Sequence, residues 1–280
     1  SLIIDTPATM PHVGTVDLDV GLAVAVLEHK RYQELSERLR QAGFGPDTND
    51  RGNETRQRWR IDGPPKVTVD FLIPPSRTGD RGGDVRDIEA DFAAIIAPGL
   101  TLAFMDHQRV RLDGRTIRGE IARREIVVCG PAAFVAMKAL ALRLRGENKD
   151  AYDLWYTLRY YGNSVDDVVA RAAAIRGEPE TAEAIGYLRD EFREIDSIGP
   201  MRTAAFLGRD DEEEFRADVR GVVLDFIRAY ENAAPYPWVK LAILSKPSAA
   251  EARRACCSGC GVRAHADPPP LAHTLLEETP

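Results

Sequence analysis

Apolar and polar residues alternate along the stretch GTVDLDV near the N-terminus, with the two-residue period of a β-strand that buries one face. Val16, Leu18 and Val20 are predicted to point inward. Asp17 and Asp19 then stand side by side on the other face. Like charges that close repel each other and strands disfavour Asp, so the pair is destabilising unless a cation lies between the carboxylates. The alternative is a solvated edge strand with two exposed acids.

The rest of the first half of the chain is predicted to form short helices and strands. HKRYQELSERLRQAGF has helical spacing and a stop at Gly43, and TRQRWRID, KVTVDFLIP and REIVVCG are predicted strands. Residues 76–87 are polar and Gly-rich, which predicts a loop. In GLTLAFMDHQRVRLDGRTIRGE, Asp113-Gly114 predicts the turn of a hairpin between short strands.

The pattern becomes helical at Pro131. PAAFVAMKALALRLRG has Pro at its start and Gly at its end, as expected of a well-bounded helix, and KDAYDLWYTLRYYG follows as a second. Further helices are predicted over about 164–175, 180–193 and 211–231.

These elements predict an α+β protein whose mixed β-sheet has flanking helices and is followed by an α-helical domain. The sheet domain is expected over 1–130 and the helical domain over 131–245. Residues 246–280 have no periodic pattern and contain three consecutive prolines, which predicts a disordered tail outside the working protein.

Composition excludes an integral membrane protein. The 280 residues are 44% hydrophobic and 29% charged, as in soluble proteins, and no apolar run approaches the roughly 20 residues that span a bilayer. Four cysteines and no basic-then-apolar leader make the reducing cytoplasm the expected location. Cys257 and Cys260 form a C-x-x-C that Cys256 and His265 could complete as a zinc site, a less favoured alternative.

The net charge of −7 does not suggest nucleic-acid binding by the whole surface, but the arginines are clustered. Such runs are compatible with solvated hairpin faces. They are also compatible with a positive cleft for a polyphosphate or an RNA backbone. One cluster comprises Arg51, Arg56, Arg58 and Arg60, and the other comprises Arg109, Arg111, Arg115, Arg118, Arg123 and Arg124.

A third acid repeats the opening pattern. In KVTVDFLIP, Val67, Val69 and their apolar neighbours form one face and Asp70 lies on the other. If this strand neighbours the first, then Asp17, Asp19 and Asp70 converge on one polar face. Three carboxylates suit hard cations with oxygen ligands, above all Mg²⁺, and two such ions serve phosphoryl or nucleotidyl displacement.

A second group of charged residues begins a helix. In KDAYD, Lys149 and Asp153 are four residues apart and share a helix face. The acids Asp150 and Asp153 could also be ordinary helix-start residues, which favour negative charge. Lys138 lies among apolar residues of the preceding helix, where its ammonium could reach solvent or meet a phosphate.

The segments GTVDLDV, VDFL and AFVAMKALALRLRGENKDAYDLWYTL occur in an order that resembles the AbiEii/AbiGii toxin family of nucleotidyltransferases, over about residues 12–165. The resemblance implies a fold like that of DNA polymerase β-type nucleotidyltransferases, with metal-binding acids on a mixed sheet. Several members are toxins of toxin–antitoxin pairs, and some add nucleotides to RNA such as tRNA acceptor ends. It therefore implies a cytoplasmic enzyme with NTP as substrate, an RNA acceptor and a cognate antitoxin.

The resemblance also implies roles for the acids of the sheet. Asp17 and Asp19 match the metal-binding D-x-D, and Asp70 matches the third acid. Two Mg²⁺ ions are expected there. Asp70 is the candidate general base toward the acceptor hydroxyl.

In the helical part, Lys149, Asp150 and Asp153 match the family's K-D-x-x-D motif. Lys149 and Asp153 are expected to be catalytic. Lys149 and Asp150, together with Lys138 in the helix before them, are expected to bind the nucleotide.

One family feature is not seen before Asp17, namely a Gly-Ser or Gly-Gly pair on a strand–helix turn, where Gly14 stands isolated. Either the sequence begins downstream of that turn or this member lacks it. Two alternatives therefore stay open beside the RNA-modifying enzyme: an enzyme that modifies a small molecule, and a non-catalytic binding protein on the same scaffold.

Overall fold

The structure is a computed structural model, and the described residues lie within one compact unit that ends at Ala234. The predicted tail over 246–280, with its C-x-x-C, lies outside the described residues. The division into two domains at residue 130 stays a prediction, since strands and helices on both sides of it belong to the one unit. The structure describes residues 3–4, 10–14, 17–23, 29–49, 51–63, 66–116 and 119–233.

The described strands form a mixed six-stranded sheet and a separate two-stranded hairpin. In the sheet the order is β2-β3-β4-β6-β5, and β1 pairs in parallel with β4. The hairpin is β7 with β8. The strands are β1 (Asp17–Gly21), β2 (Gly45–Thr48), β3 (Glu54–Ile61), β4 (Val67–Ile73), β5 (Val85–Glu89), β6 (Phe92–Ile96), β7 (His107–Arg115) and β8 (Ile121–Cys129).

Two of the helices accompany the strands and the others follow them, which confirms the predicted α+β class. None in the described part of the chain is long and apolar enough to cross a membrane. The helices are α1 (His29–Gln41), α2 (Leu100–Met105), α3 (Pro131–Arg145), α4 (Asn148–Tyr160), α5 (Val165–Ala172), α6 (Pro179–Glu191), α7 (Ile198–Leu207) and α8 (Glu213–Asn232).

One face of the sheet is apolar and packs against α1. Trp59, Phe71 and Phe92 are almost fully buried there, and Leu35 and Leu39 of α1 pack against this core. The remaining face of β1 and β4 is left for polar side chains, as the alternation predicted.

The prediction that Leu18 is buried was wrong, because its side chain is 51% exposed. Among the described strands, β1 pairs with β4 alone, so Leu18 has a described strand neighbour on one side only. Val20, two residues along, is half-buried against the sheet core. Val16 lies outside the described residues.

Several elements differ from the prediction, and strands β2 and β6 were not predicted. The chain forms α2 directly after Gly99, where a strand was expected. β5 begins at Val85, inside the predicted loop over 76–87. Helix α7 was not predicted. Asp113 and Gly114 lie within β7, and the hairpin turns instead between Thr116 and Glu120, where backbone hydrogen bonds close the loop.

The predicted helices α3 and α4 are confirmed and form the centre of the helical core. Nine consecutive residues of α4, from Asp150 to Leu158, are buried. The helix packs against α3, α7 and α8, so its polar residues are enclosed as well as its aromatic ones. Any acid on α4 therefore needs a partner inside the protein.

A buried aspartate joins the hairpin to the start of α3. The Asp106 carboxylate accepts hydrogen bonds from the backbone N–H groups of Ala132 (2.9 Å) and Ala133 (3.0 Å) and from Arg171 Nε (2.7 Å). It thereby satisfies helix donors that Gly130, at the N-cap, cannot. A Cβ at residue 130 would overlap this carboxylate, which explains the glycine.

We expect Asp106→Asn to lower the free energy of unfolding by about 2 kcal/mol, because it removes a charge-assisted helix cap and one member of a buried ion pair. Urea denaturation followed by circular dichroism measures this change. The control is Asp113→Asn, which removes an exposed carboxylate from the same hairpin and should cost less than about 1 kcal/mol. Equal losses in the two variants would contradict the assigned cap.

Candidate functional site

The strand register brings the acids of β1 and β4 together. Asp19 lies opposite Asp70, and Asp17 lies opposite Thr68, in the parallel pairing of the two strands. Paired residues of neighbouring strands share a face, and the strands lie about 4.8 Å apart. The prediction that Asp17, Asp19 and Asp70 lie on one sheet face is confirmed.

Two of these acids have partners on the sheet. Asp70 is buried, and its two oxygens accept hydrogen bonds from Arg58 Nε (2.7 Å) and Arg58 Nη2 (2.5 Å) on the adjacent β3. This contact raises the pKa of Arg58 well above its usual range. Asp17 accepts a hydrogen bond from the Thr68 hydroxyl. Arg58 thus fixes the orientation of Asp70.

Asp19 differs from its neighbours because its charge is poorly compensated. The residue keeps an exposed surface. Even so, burial of the carboxylate and, next in size, repulsion by Asp70 raise the pKa of Asp19. Lys138 and Arg145, both from α3, act in the opposite direction and lower it. Basic side chains of α3 therefore act electrostatically on the acidic face of the sheet.

The acidic face fits Mg²⁺ in the kind of ligand it offers. Asp17, Asp19 and Asp70 supply only oxygen, and the raised pKa of Asp19 marks a charge that a cation would stabilise. Within the described ranges, no three side chains of the His, Cys, Asp or Glu type are grouped closely enough to hold a metal. Asp70 faces Arg58 instead, so it must turn toward Asp19 to complete such a group.

Asp150 is the first of two acids enclosed by basic side chains. It is 0% exposed, and its oxygens accept hydrogen bonds from Arg145 Nε (2.7 Å), Arg145 Nη2 (2.8 Å) and Lys138 Nζ (2.9 Å). Burial alone would raise the pKa of Asp150, but the hydrogen bonds from Arg145 and Lys138 hold it below its usual value. The ionised carboxylate therefore holds the side chains of Lys138 and Arg145 in place.

Asp153 is the second enclosed acid. Its carboxylate contacts Lys138 Nζ (2.8 Å), Lys149 Nζ (2.7 Å) and His12 Nε2 (3.2 Å). Burial opposes its charge, but His12 and the two lysines lower its pKa overall. Lys138 likewise has its pKa raised by Asp153 and Asp150, against the effect of burial. The oxygens of Asp153 are thus occupied by protein groups, and its predicted catalytic role stays a prediction.

The segment before β1 is fixed to α4 by the same region. Tyr156 donates its hydroxyl proton to the Met10 carbonyl (2.9 Å), and the backbone N–H of Val13 donates to the Tyr152 hydroxyl (3.0 Å). The His12 ring packs against both tyrosines. The segment that precedes the strand with Asp17 and Asp19 is therefore held on α4, the helix that carries Asp150 and Asp153.

The lowered pKa of Asp153 predicts an acid-sensitive contribution to stability. Because the folded state holds this carboxyl ionised, its contribution is complete above the usual pKa of 3.8 and is lost as the pH falls through the lowered folded value. We expect the wild-type protein to exceed Asp153→Asn in unfolding free energy at pH 5–8, and the excess to shrink below about pH 4. Urea denaturation across this range measures it, and a constant excess down to pH 2 would contradict the assignment.

The structure thus groups the predicted residues into an acidic set on the sheet and an ion-pair cluster on α3 and α4. Sequence reasoning missed three members, namely Arg58, Arg145 and His12. Arg58 was recognised only as part of an arginine run, and Arg145 ends a predicted helix. Each of the three lies close in sequence to one of the motif acids. This signal is weak as long as the strand pairing and the helix packing are unknown.

Three arginines of the first cluster, those on β3, each contact an acidic side chain. Arg60 contacts Asp47 (2.9 Å) and Arg56 contacts Asp87 (2.7 Å), while Arg58 contacts Asp70. These acids lie on β2, β5 and β4, and a positive cleft at this cluster stays a prediction. The second cluster lies on β7 and β8, except Arg118, which lies outside the described residues.

Comparison with known proteins identifies the chain at the level of its family. No curated protein and no solved structure is significantly similar to it. The family described as Nucleotidyl transferase AbiEii toxin, Type IV TA system, matches residues 12–232, which include the acids of the sheet and the ion-pair cluster. The chain therefore belongs to the AbiEii family of nucleotidyl transferase toxins of type IV toxin–antitoxin systems.

Proposed function

We propose that this protein transfers a nucleotide from an NTP to an acceptor hydroxyl, and that the site lies between β1/β4 and α3/α4. The observation that supports it best is the influence of Lys138 and Arg145 on Asp19. A nucleotidyltransferase needs cations for a triphosphate beside carboxylates that hold a metal, and these residues bring the two requirements together.

The basic residues would bind the triphosphate. Lys138 and Lys149 offer ammonium groups, and Arg145 offers five N–H donors, of which the contacts with Asp150 use two. Asp150 and Asp153 hold these cations in place before the substrate arrives. Such preorganisation is what makes positioning and charge stabilisation effective in phosphoryl transfer.

The acceptor hydroxyl would lie near the sheet acids. Asp17, Asp19 and Asp70 would hold Mg²⁺, which when bound neutralises developing charge on phosphate and pyrophosphate oxygens. Asp70 is the candidate general base, and it must give up at least one hydrogen bond from Arg58 before it can accept a proton. Arg58 would then keep the Asp70 carboxylate hydrogen-bonded until the acceptor is bound.

The acceptor we propose is an RNA such as tRNA, and the regulating partner a cognate antitoxin, with the cytoplasm as the site of action. Membership of a toxin–antitoxin family supports the antitoxin, and the RNA acceptor rests on the resemblance given in the sequence analysis. A small-molecule acceptor and a non-catalytic binding role are the alternatives that an activity measurement separates.

Lys149→Ala tests the proposal. We expect it to lower transfer of α-labelled NTP to a tRNA fraction at least tenfold. The unfolding free energy should change by less than about 1 kcal/mol, because this lysine is 36% exposed and Asp153 keeps Lys138 and His12 as partners. The matched control is Lys66→Ala, an exposed lysine whose contact with Asp47 is long (3.7 Å), which should keep full activity. A large loss of stability with normal activity per folded molecule would refute the assigned role.

A further inference from the structure

The β7–β8 hairpin is a basic arm on an acidic protein. Residues 107–129 contain six arginines and three acids, a net charge of +3 in a chain whose net charge is −7. The hairpin forms a sheet of its own, separate from the six-stranded sheet. Its charge is therefore a local feature that the proposed catalytic site does not use.

The arginines concentrate on one face. In the antiparallel register, Arg109, Arg111 and Arg115 alternate along β7, and Arg123 lies opposite Asp113 on the same face. All four are exposed, Arg123 by 81%. The other face is half-buried toward the base of the hairpin, at Gln108, Val110, Ile126 and Val128.

The contacts of these arginines leave them available to an external anion. Arg109 pairs with Glu125 (2.6 Å) and Arg123 with Asp113 (2.9 Å), but every member of both pairs is more than half exposed. Ion pairs in water are weak and exchange readily for other partners. The hairpin thus offers a row of guanidinium groups from Arg109 to Arg115, which six residue steps of an extended strand spread over about 20 Å.

The hairpin is also fixed to the helix that carries Lys138. Asp106, directly before β7, binds the first backbone N–H groups of α3, and Arg171 joins Asp106 to the carbonyl of His107 (2.7 Å). A ligand bound along the arm would therefore be held in a defined position relative to α3. A small-molecule acceptor needs no such arm, whereas a long polyanion does.

Resting on the proposed function for the identity of the acceptor, we propose that the exposed arginine face of the β7–β8 hairpin binds the phosphate backbone of the RNA acceptor. Guanidinium groups bind phosphates through paired N–H donors, and a row of them recognises a repeating phosphodiester chain without reading its sequence. Exposed Ile121 and Val127 share this face and would suit a protein surface, but the charge favours nucleic acid.

The test uses the full chain and a fluorescently labelled RNA stem-loop with a single-stranded 3′ end, without NTP or divalent metal. The variant is the triple Arg109→Gln, Arg111→Gln and Arg123→Gln. The matched control removes three arginines from exposed ion pairs of the helical part, namely Arg189→Gln, Arg193→Gln and Arg228→Gln. Fluorescence anisotropy gives the Kd at several salt concentrations, and thermal unfolding verifies that both variants fold.

We expect the hairpin variant to raise the Kd at least tenfold. It should also reduce the slope of log K against log salt by about one for each arginine that contacts a phosphate. The control should bind like the wild type. Equal weakening in the two variants, unchanged binding in the hairpin variant, or no RNA binding by the wild type would each overturn the proposal.

The outcome is separable from the proposed function, because nucleotide transfer is measured independently. Hairpin-dependent RNA binding without transfer would uphold this inference and contradict the proposed enzyme. Transfer that the hairpin variant leaves unchanged would uphold the enzyme and contradict the inference. If the hairpin variant binds RNA normally but no longer binds an antitoxin, the arm is a protein-docking surface and the proposal is wrong.

Discussion

Replacing Lys138 with methionine is expected to lower the free energy of unfolding by about 3 kcal/mol and to abolish nucleotide transfer. Methionine keeps the length and apolar stem of the side chain, so the change isolates the ammonium group. Within the described part of the chain, Lys138 is the one residue with ion pairs to both buried acids of α4, and its Nζ lies 2.9 Å from Asp150 and 2.8 Å from Asp153.

The reason for the large effect is burial. Asp150 and Asp153 are 0% and 3% exposed, and an acid that loses a cation inside the protein cannot recover the loss from water. Arg145 and Lys149 remain as partners, which keeps the expected loss at the lower end of that seen for broken buried ion pairs.

Urea denaturation measures the change in Lys138→Met. The matched control is Lys66→Met, at a lysine that is 49% exposed and should contribute less than about 1 kcal/mol. A stability of Lys138→Met equal to that of the control would contradict the assignment of Lys138 as the shared cation of the cluster.

Unlike Lys138→Met, Asp19→Asn is expected to remove activity while leaving the fold intact. Because burial and Asp70 raise the pKa of Asp19, its ionised form is unfavourable in the folded protein. Neutralising it should leave the unfolding free energy unchanged or slightly higher. Transfer should fall about 100-fold or more, as when an electrostatic group of a catalytic site is removed.

A transfer assay and a denaturation curve on the same preparation of Asp19→Asn measure both effects. Asp62→Asn, an aspartate that is 76% exposed, is the matched control and should resemble the wild type in both. A clear loss of stability in Asp19→Asn would show that this carboxylate supports the fold rather than the chemistry.

The acids of the site could be predicted because strand alternation fixes which side chains share a face. GTVDLDV and KVTVDFLIP each carry that period, and it placed Asp17, Asp19 and Asp70 correctly once the two strands proved to be neighbours. Helix α3 was predictable for a different reason, since Pro131 and Gly146 mark the ends of a run rich in Ala and Leu.

What the sequence did not reveal depends on contacts between distant elements. Arg58 acquires its role only through the pairing of β3 with β4, and His12 only through the packing of its segment on α4. The Asp113-Gly114 signal for a turn was overridden because cross-strand pairing continues to Arg115. Leu18 is exposed for a related reason, since alternation identifies a face but not whether another element covers it.

The central claim is that the site transfers a nucleotide, and the position of the label in the NTP tests it most directly. Wild-type protein is incubated with tRNA, Mg²⁺ and an NTP labelled either at the α-phosphate or at the γ-phosphate, and the RNA is separated on a denaturing gel. The account predicts that the α-label enters the RNA and that the γ-label leaves as pyrophosphate. It also predicts that Asp19→Asn neither labels the RNA nor releases pyrophosphate. Entry of the γ-label into RNA, or α-label transfer undiminished in Asp19→Asn, would contradict it.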